Sequence, residues 1–184
     1  MYIKITSPLI ISALIANFVI FSCSKDEPAP VDPTVDPPVE EVLTYQVEDL
    51  EGNIFVDNQT LEFSTINYPD ASLLFKVRNT SSETIAMRIE VESMSGTDGS
   101  LMELCFGECY YGVTTGSSYP SNPSSPNVNI EPGQTQVSSG DHFFNSDGGD
   151  GINPVEYTFK FYLADESGNQ NGTVFRIKYR YIRN

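Results

Sequence analysis

The chain has 184 residues, with 25 acidic against 10 basic side chains and a formal net charge of −15. A chain this acidic lacks the basic footprint that a phosphate backbone demands, which excludes nucleic-acid binding as a class. Its apolar fraction, 39% of residues, is enough for the core of one domain.

Residues 1–22 read as an export signal. Lys4 is the only charge, and Ile5 to Phe21 is an apolar run at the short edge of a bilayer span, closed by the small residue Ser22. Cys23 follows directly, and the chain then turns charged at Ser24-Lys25-Asp26-Glu27. Ile20, Ser22 and Cys23 resemble the bacterial lipobox, with the bulkier Phe21 as the departure. The resemblance implies cleavage before Cys23 and lipidation of its thiol, and several acyl chains on one residue hold a protein stably to a membrane. Ser24 to Glu27 resemble the acidic export tag of surface lipoproteins of Bacteroidetes. That implies an outer-membrane lipoprotein displayed at the cell surface, with the periplasmic face as the alternative.

Residues 23–42 carry Pro28, Pro30, Pro33, Pro37 and Pro38 among Asp26, Glu27, Asp32, Asp36, Glu40 and Glu41. Proline favours extended polyproline II chain, and like charges repel, so this stretch reads as a disordered spacer.

From 43 to 184 the dominant signal has a period of two, which is that of half-buried strands. Leu73, Phe75 and Val77 form one apolar set, and Ile85, Met87, Ile89 and Val91 another. Val155, Tyr157, Phe159, Phe161 and Leu163 form a third, and Phe175, Ile177, Tyr179 and Tyr181 a fourth. Shorter strands are predicted at 44–49, 53–57, 60–64, 100–105, 109–114, 126–130 and 134–144. Turn clusters at 79–82, 96–99, 131–133 and 166–169 separate the runs, and no window carries a helical stripe. Strands with one apolar face each need a second sheet to cover them, so the predicted fold is all-β, an antiparallel β-sandwich, with a β-barrel as the alternative.

Ile130-Glu131-Pro132-Gly133 resembles a corner of immunoglobulin-like and fibronectin-like bacterial modules. Together with Leu104-Cys105-Phe106-Gly107-Glu108-Cys109-Tyr110 and Ser118-Tyr119-Pro120, it makes residues 70–182 similar to Ig-like domains of secreted flavobacterial proteins. The resemblance implies a fold and a compartment but no reaction.

Cys105 and Cys109 are the cysteines left beside Cys23. In an exported chain a disulfide between them is the favoured reading. Four steps of extended strand span roughly 13 Å, so the bridge requires a tight turn, which Gly107 can supply. A redox pair, two free thiols and a zinc site are the competing readings, the last being short of two ligands.

His142, the single histidine, sits beside Asp141, which could orient it as a general base. Neighbours on a strand point to opposite faces, so the two are not expected to pair. No nucleophile has a signature around it, and the domain is read as non-catalytic. Asn145-Ser146-Asp147-Gly148-Gly149-Asp150-Gly151-Ile152-Asn153 clusters oxygen donors among glycines and is the candidate Ca²⁺ loop, although its sixth position is Asp150 rather than glycine, with Asp147 and Asp150 as first ligands and a simple turn as the plainer reading. Tyr110, Tyr111 and Tyr119 are the candidate ligand patch, able to stack on a sugar, to anchor an envelope protein, or to close the core. Arg176, Lys178 and Arg180 on the last strand are expected to pair with Glu156 or with Glu90 and Glu92 rather than to bind an acidic ligand. The expected function is a lipid-anchored binding or adhesion module. An accessory subunit of an envelope complex is the second reading, and an exported hydrolase the poorest.

Overall fold

The computed structural model describes residues 43–136 and 141–183. The signal segment, Cys23, the acidic tag and the spacer lie outside the described residues. Among the described residues thirteen strands follow one another: β1 Tyr45–Glu48, β2 Gln59–Phe63, β3 Ser72–Leu74, β4 Lys76–Asn79, β5 Ile85–Ser95, β6 Met102–Phe106, β7 Glu108–Tyr111, β8 Ser118–Tyr119, β9 Val128–Ile130, β10 Thr135–Gln136, β11 His142–Asn145, β12 Val155–Ala164 and β13 Gln170–Tyr181. No helix occurs among the described residues.

Two layers result. In the first, β4 lies between β1 and β10, while β11 lies between β3 and β6, and β7 closes the edge. Only Phe75 separates β3 from β4, and its N–H still reaches the Asp141 carbonyl at 3.4 Å, so these strands form one layer, sheet 1. Sheet 2 runs β2-β13-β12-β5-β8, with β9 also paired to β5. Every pairing is antiparallel except β2 with β13, which is parallel. This is an all-β sandwich, as the alternation predicts, and it is immunoglobulin-like, as the resemblance implies.

The two layers meet through aromatic rings. Phe143 of sheet 1 stacks on Phe159 of sheet 2 with centroids 3.7 Å apart, and Phe75 meets Phe161 edge-on at 5.3 Å. Inward alternation of Ile85, Met87, Ile89 and Val91 on β5 fills the middle of the core. The register between β12 and β5 shifts after Val91, which faces Phe159, so that Ser93 faces Thr158. Glu92 is therefore the extra residue of a β-bulge, and Met94 rather than Ser93 turns toward the core.

Polar groups buried between the layers are satisfied individually. The Tyr45 hydroxyl donates to the Phe161 carbonyl at 2.9 Å and that of Tyr179 to the Ala71 carbonyl at 2.7 Å. Asn79, fully buried, donates from Nδ2 to the carbonyls of Glu83 and Ile130. It thereby ties the end of β4 to the Ile130–Gly133 corner that carries the chain from sheet 2 back to sheet 1.

Two strand expectations resolve differently. Residues 53–57 form only an isolated bridge, Glu48 with Ile54, because Asp49 draws the Asn53 N–H and side-chain amide onto its own carboxylate and curls the segment. Between the strands predicted at 109–114 and 126–130, Ser118–Tyr119 form the short strand β8, which pairs with Ile89 and Glu90 of β5.

Candidate functional site

The outward rows of sheet 1 bring together residues far apart in the chain. Across β7, β6, β11 and β3, Tyr111 lies opposite Glu103, Glu103 opposite Phe144, and Phe144 opposite Ser72. In the next row Cys109 lies opposite Cys105, Cys105 opposite His142, and His142 opposite Leu74. The inward neighbours Met102, Leu104, Phe106 and Phe143 are all buried, so strict alternation directs these two rows to the outer surface.

This surface is aromatic. Tyr111 is 80% exposed, and Tyr68, on the loop before β3, is 68% exposed. The Tyr68 ring meets Phe144 edge-on at 5.5 Å. Phe144 and Tyr111, with Leu101, Glu103, Ser100 and Ser146, border a shallow depression of about 150 Å³. The Tyr111 hydroxyl is hydrogen-bonded to Glu103, and that neighbouring carboxylate holds its phenol above the ordinary value.

The three candidate tyrosines are divided by the fold. Tyr110 points the other way from Tyr111, and its ring lies 4.8 Å from that of Tyr119. The Tyr110 hydroxyl donates to Glu108 at 2.9 Å and accepts from the Ser121 N–H. Tyr119 is buried in the core, and burial raises both its phenol and that of Tyr110. Only Tyr111 of the three stands on the open face. Tyr68 and Phe144 complete the surface and were not singled out in the sequence. The Phe143-Phe144 pair carried the signal for one of them, since consecutive residues of a strand must face opposite ways.

Cys105 and Cys109 are joined in a disulfide with Cα atoms 4.0 Å apart. The hairpin reverses at Gly107, whose φ of 72° lies in the left-handed region, and its N–H donates to Asp141 Oδ1 at 2.9 Å. Asp141 turns its carboxylate to the Gly107 N–H, while the His142 ring lies against Cys105. No motif places His142 beside Cys105 and Glu103, yet its Nε2 lies 3.8 Å from Cys105 Sγ and 3.8 Å from Glu103 Oε1.

Asp147 and Asp150 each use their carboxylate within a turn. Asp147 accepts from Thr97 Oγ1 at 2.6 Å and from the Gly149 N–H at 2.8 Å. Asp150 accepts from the N–H groups of Ile152 and Asn153 and from the Asn153 amide, and these bonds hold its carboxyl below the ordinary range. Among the described residues, the group of three potential metal ligands with donor atoms within 4.8 Å of one another is Glu103, Cys105 and His142.

The outer face of sheet 2 is charged. Lys160 pairs with Glu90 at 2.7 Å, Arg176 with Glu92 at 2.7 Å, and Arg180 with Glu156 at 2.9 Å and Glu62 at 3.3 Å. Lys178, Thr60, Thr158 and Ser93 line a groove of about 350 Å³ between these rows. Its hydroxyls are already well solvated, and exchanging water for a ligand hydroxyl gains little. The rings of sheet 1 lose apolar surface to water instead, and their burial is favourable.

The chain is thus an immunoglobulin-like sandwich with an ion-paired outer face on sheet 2 and, on sheet 1, an aromatic patch over β7-β6-β11-β3 beside the ion pairs that Glu48 of β1 makes with Lys76 and Arg78 of β4. No family model matches its sequence, and no curated protein does. Among solved structures it is similar to the N-terminal domain of PorA, at 16% identity and a TM-score of 0.42 over 74% of this chain and 96% of that one. It is also similar to a PapD-like domain of human CEP192, at 10% identity and a TM-score of 0.35 over 84% of this chain and 94% of that one.

Proposed function

We propose that the protein is a non-catalytic binding module, held at the outer membrane by a lipid on Cys23, that presents the aromatic face of sheet 1 to a glycan. The observation that carries this reading is the pair of exposed rings, Tyr111 at 80% and Tyr68 at 68%, set on either side of Phe144. An apolar surface this open on a small domain is typical of a contact site. Aromatic faces give a sugar ring its stacking surface, and Glu103, Ser100 and Ser146 at the rim supply polar groups for its hydroxyls. The apolar run before Cys23 and the acidic tag after it support anchoring and outward display.

Glycan-array binding of the purified chain tests the reading. Retention of a glycan is expected, and Tyr111→Ala and Tyr68→Ala should each weaken it about tenfold, equivalent to about 1.4 kcal/mol. Absence of any retained glycan, or retention indifferent to both substitutions, overturns it. An envelope protein that co-purifies and is lost with Tyr111→Ala would favour the accessory-subunit reading instead. Mass spectrometry of the mature N-terminus should show acylated Cys23, and an intact Met1 would refute the anchor.

A further inference from the structure

The disulfide sits where a metal ion would fit. Cys105 Sγ lies 3.7 Å from Glu103 Oε1 and 3.8 Å from His142 Nε2, and the histidine and glutamate atoms are 3.8 Å apart. Three donors therefore form a nearly equilateral triangle. A tetrahedral zinc site with bonds of about 2.0–2.3 Å has ligand-to-ligand edges of roughly 3.3–3.7 Å. The triangle needs to contract by only a few tenths of an ångström. A disulfide sulfur carries no proton, so its contact with the Glu103 carboxylate sets one acceptor against another and is no hydrogen bond. A cation between them would turn that contact into a favourable one.

A fourth ligand would have to come from Cys109 once its sulfur is released from the bridge, since the donors already close together are Glu103, Cys105 and His142. Cys109 stands directly opposite Cys105 on β7. The β6–β7 ladder and the Gly107 bond to Asp141 hold that hairpin against β11 whether or not the sulfurs are joined. Cys105 is buried and Cys109 exposed, so a reductant can reach the bridge from the Cys109 side. The Tyr111 hydroxyl on Glu103 provides the outer hydrogen bond that commonly orients a ligating carboxylate.

We propose that Cys105, Cys109, His142 and Glu103 form a redox-gated Zn²⁺ site, closed as a disulfide when oxidised and metal-binding when reduced. A dithiol reductant transfers two electrons and two protons to the Cys105–Cys109 bond and closes to its own disulfide, leaving two thiols. Zn²⁺ then binds both sulfurs as thiolates, the two thiol protons pass to solvent, and the imidazole and carboxylate complete a closed tetrahedron. Two thiolates with an imidazole and a carboxylate suit zinc better than a hard cation such as Ca²⁺ or Mg²⁺. The inference stands apart from glycan binding, which needs neither a metal nor a reduced chain.

The test uses the full chain carrying Cys23→Ser, so that only the domain cysteines can respond. One sample is reduced with a phosphine, which is removed before metal is added, and another is left oxidised. Equilibrium dialysis should leave one Zn²⁺ on each reduced chain and none on the oxidised chain. Co²⁺ in its place should give the thiolate charge-transfer and strong visible bands of a tetrahedral site. His142→Gln and Glu103→Gln each remove a ligand and should weaken zinc by more than the roughly 10–100-fold typical of losing an outer-shell partner. Equal zinc on the reduced and oxidised chains, or a cobalt spectrum without thiolate bands, overturns the proposal. Both comparisons use the unsubstituted domain and so do not depend on any variant folding.

Discussion

On sheet 2 the outward residues answer one another. Arg176 meets Glu92, Lys160 meets Glu90, and Arg180 bridges Glu156 and Glu62. On the β7-β6-β11-β3 part of sheet 1 the outward residues are Tyr111, Glu103, Phe144, Cys105, His142 and Leu74, and no comparable ladder of ion pairs joins them. Both faces arise from the same alternation over the same core. A face whose charges are mutually paired offers a ligand little, because each new contact must first displace an existing one. A face of exposed rings gains by being covered. This contrast assigns stability to the outer face of sheet 2 and recognition to that of sheet 1, and each assignment can be tested separately.

The largest expected effect belongs to the core beneath both faces. Burial raises the phenols of Tyr45, Tyr157 and Tyr179, that of Tyr157 to about 12. A phenol that ionises later in the folded than in the unfolded chain contributes its full stability below its unfolded value, near 10. That contribution is lost as pH rises toward the folded value, because the unfolded chain sheds the proton first. Each such tyrosine should remove up to about 1.4 kcal/mol per pH unit above 10. Urea midpoints from neutrality to about pH 11 should fall steeply only at the alkaline end, and phenolate absorbance should appear together with unfolding. A gradual phenolate signal from a still-folded chain would show that these hydroxyls are not sequestered.

Arg88→Ala comes next. Its guanidinium, at the far end of the sheet 2 face, donates to the carbonyls of Gly168, Ser118 and Pro120 at 2.8–3.1 Å. Charge-assisted bonds are the stronger kind, and losing this group should cost about 2–3 kcal/mol. Urea denaturation should report that loss, with faster hydrogen exchange around β8. Ligand retention by Tyr111 and Tyr68 should be unchanged. A variant that folds well but binds poorly would break the division of roles between the faces.

Much of this architecture was legible in the sequence. The inward sets on β5, β12 and β13 are plain alternations, and they place the core. The bulge was not read there, although Val91-Glu92-Ser93-Met94 carries one residue too many between two apolar positions. The face chemistry was harder to read. Tyr111 was recognised, but Tyr68 lies in a loop with no periodicity, and Tyr110 and Tyr119 could not be placed inside without knowing the pairing of β5 with β8. The Glu103-Cys105-His142 triangle depends on β11 lying beside β6, a contact 37 residues apart in the chain. Local patterning fixes which way a strand faces and leaves open which strand lies beside it.

The smallest effect, Glu92→Gln, sharpens the contrast most finely. Arg176 donates to both Glu92 oxygens at 2.7 Å from Nε and Nη2, and the guanidinium holds the Glu92 carboxyl below its ordinary value. Both side chains are about one-third exposed, so the pair is screened and should contribute only about 0.5–1 kcal/mol. With its folded value depressed, Glu92 contributes this stability above the ordinary glutamate range and loses it as pH falls through the folded value. Wild type and Glu92→Gln should therefore differ at neutral pH in low salt. They should converge in acid, and also near 1 M salt, where the screening length shrinks to about 3 Å. A difference that survives both conditions would mean that the hydrogen-bond geometry the strands impose on this side chain, rather than its charge, stabilises this face. The ion-paired surface would then be a consequence of strand geometry, and its contrast with the aromatic face would rest on shape before charge.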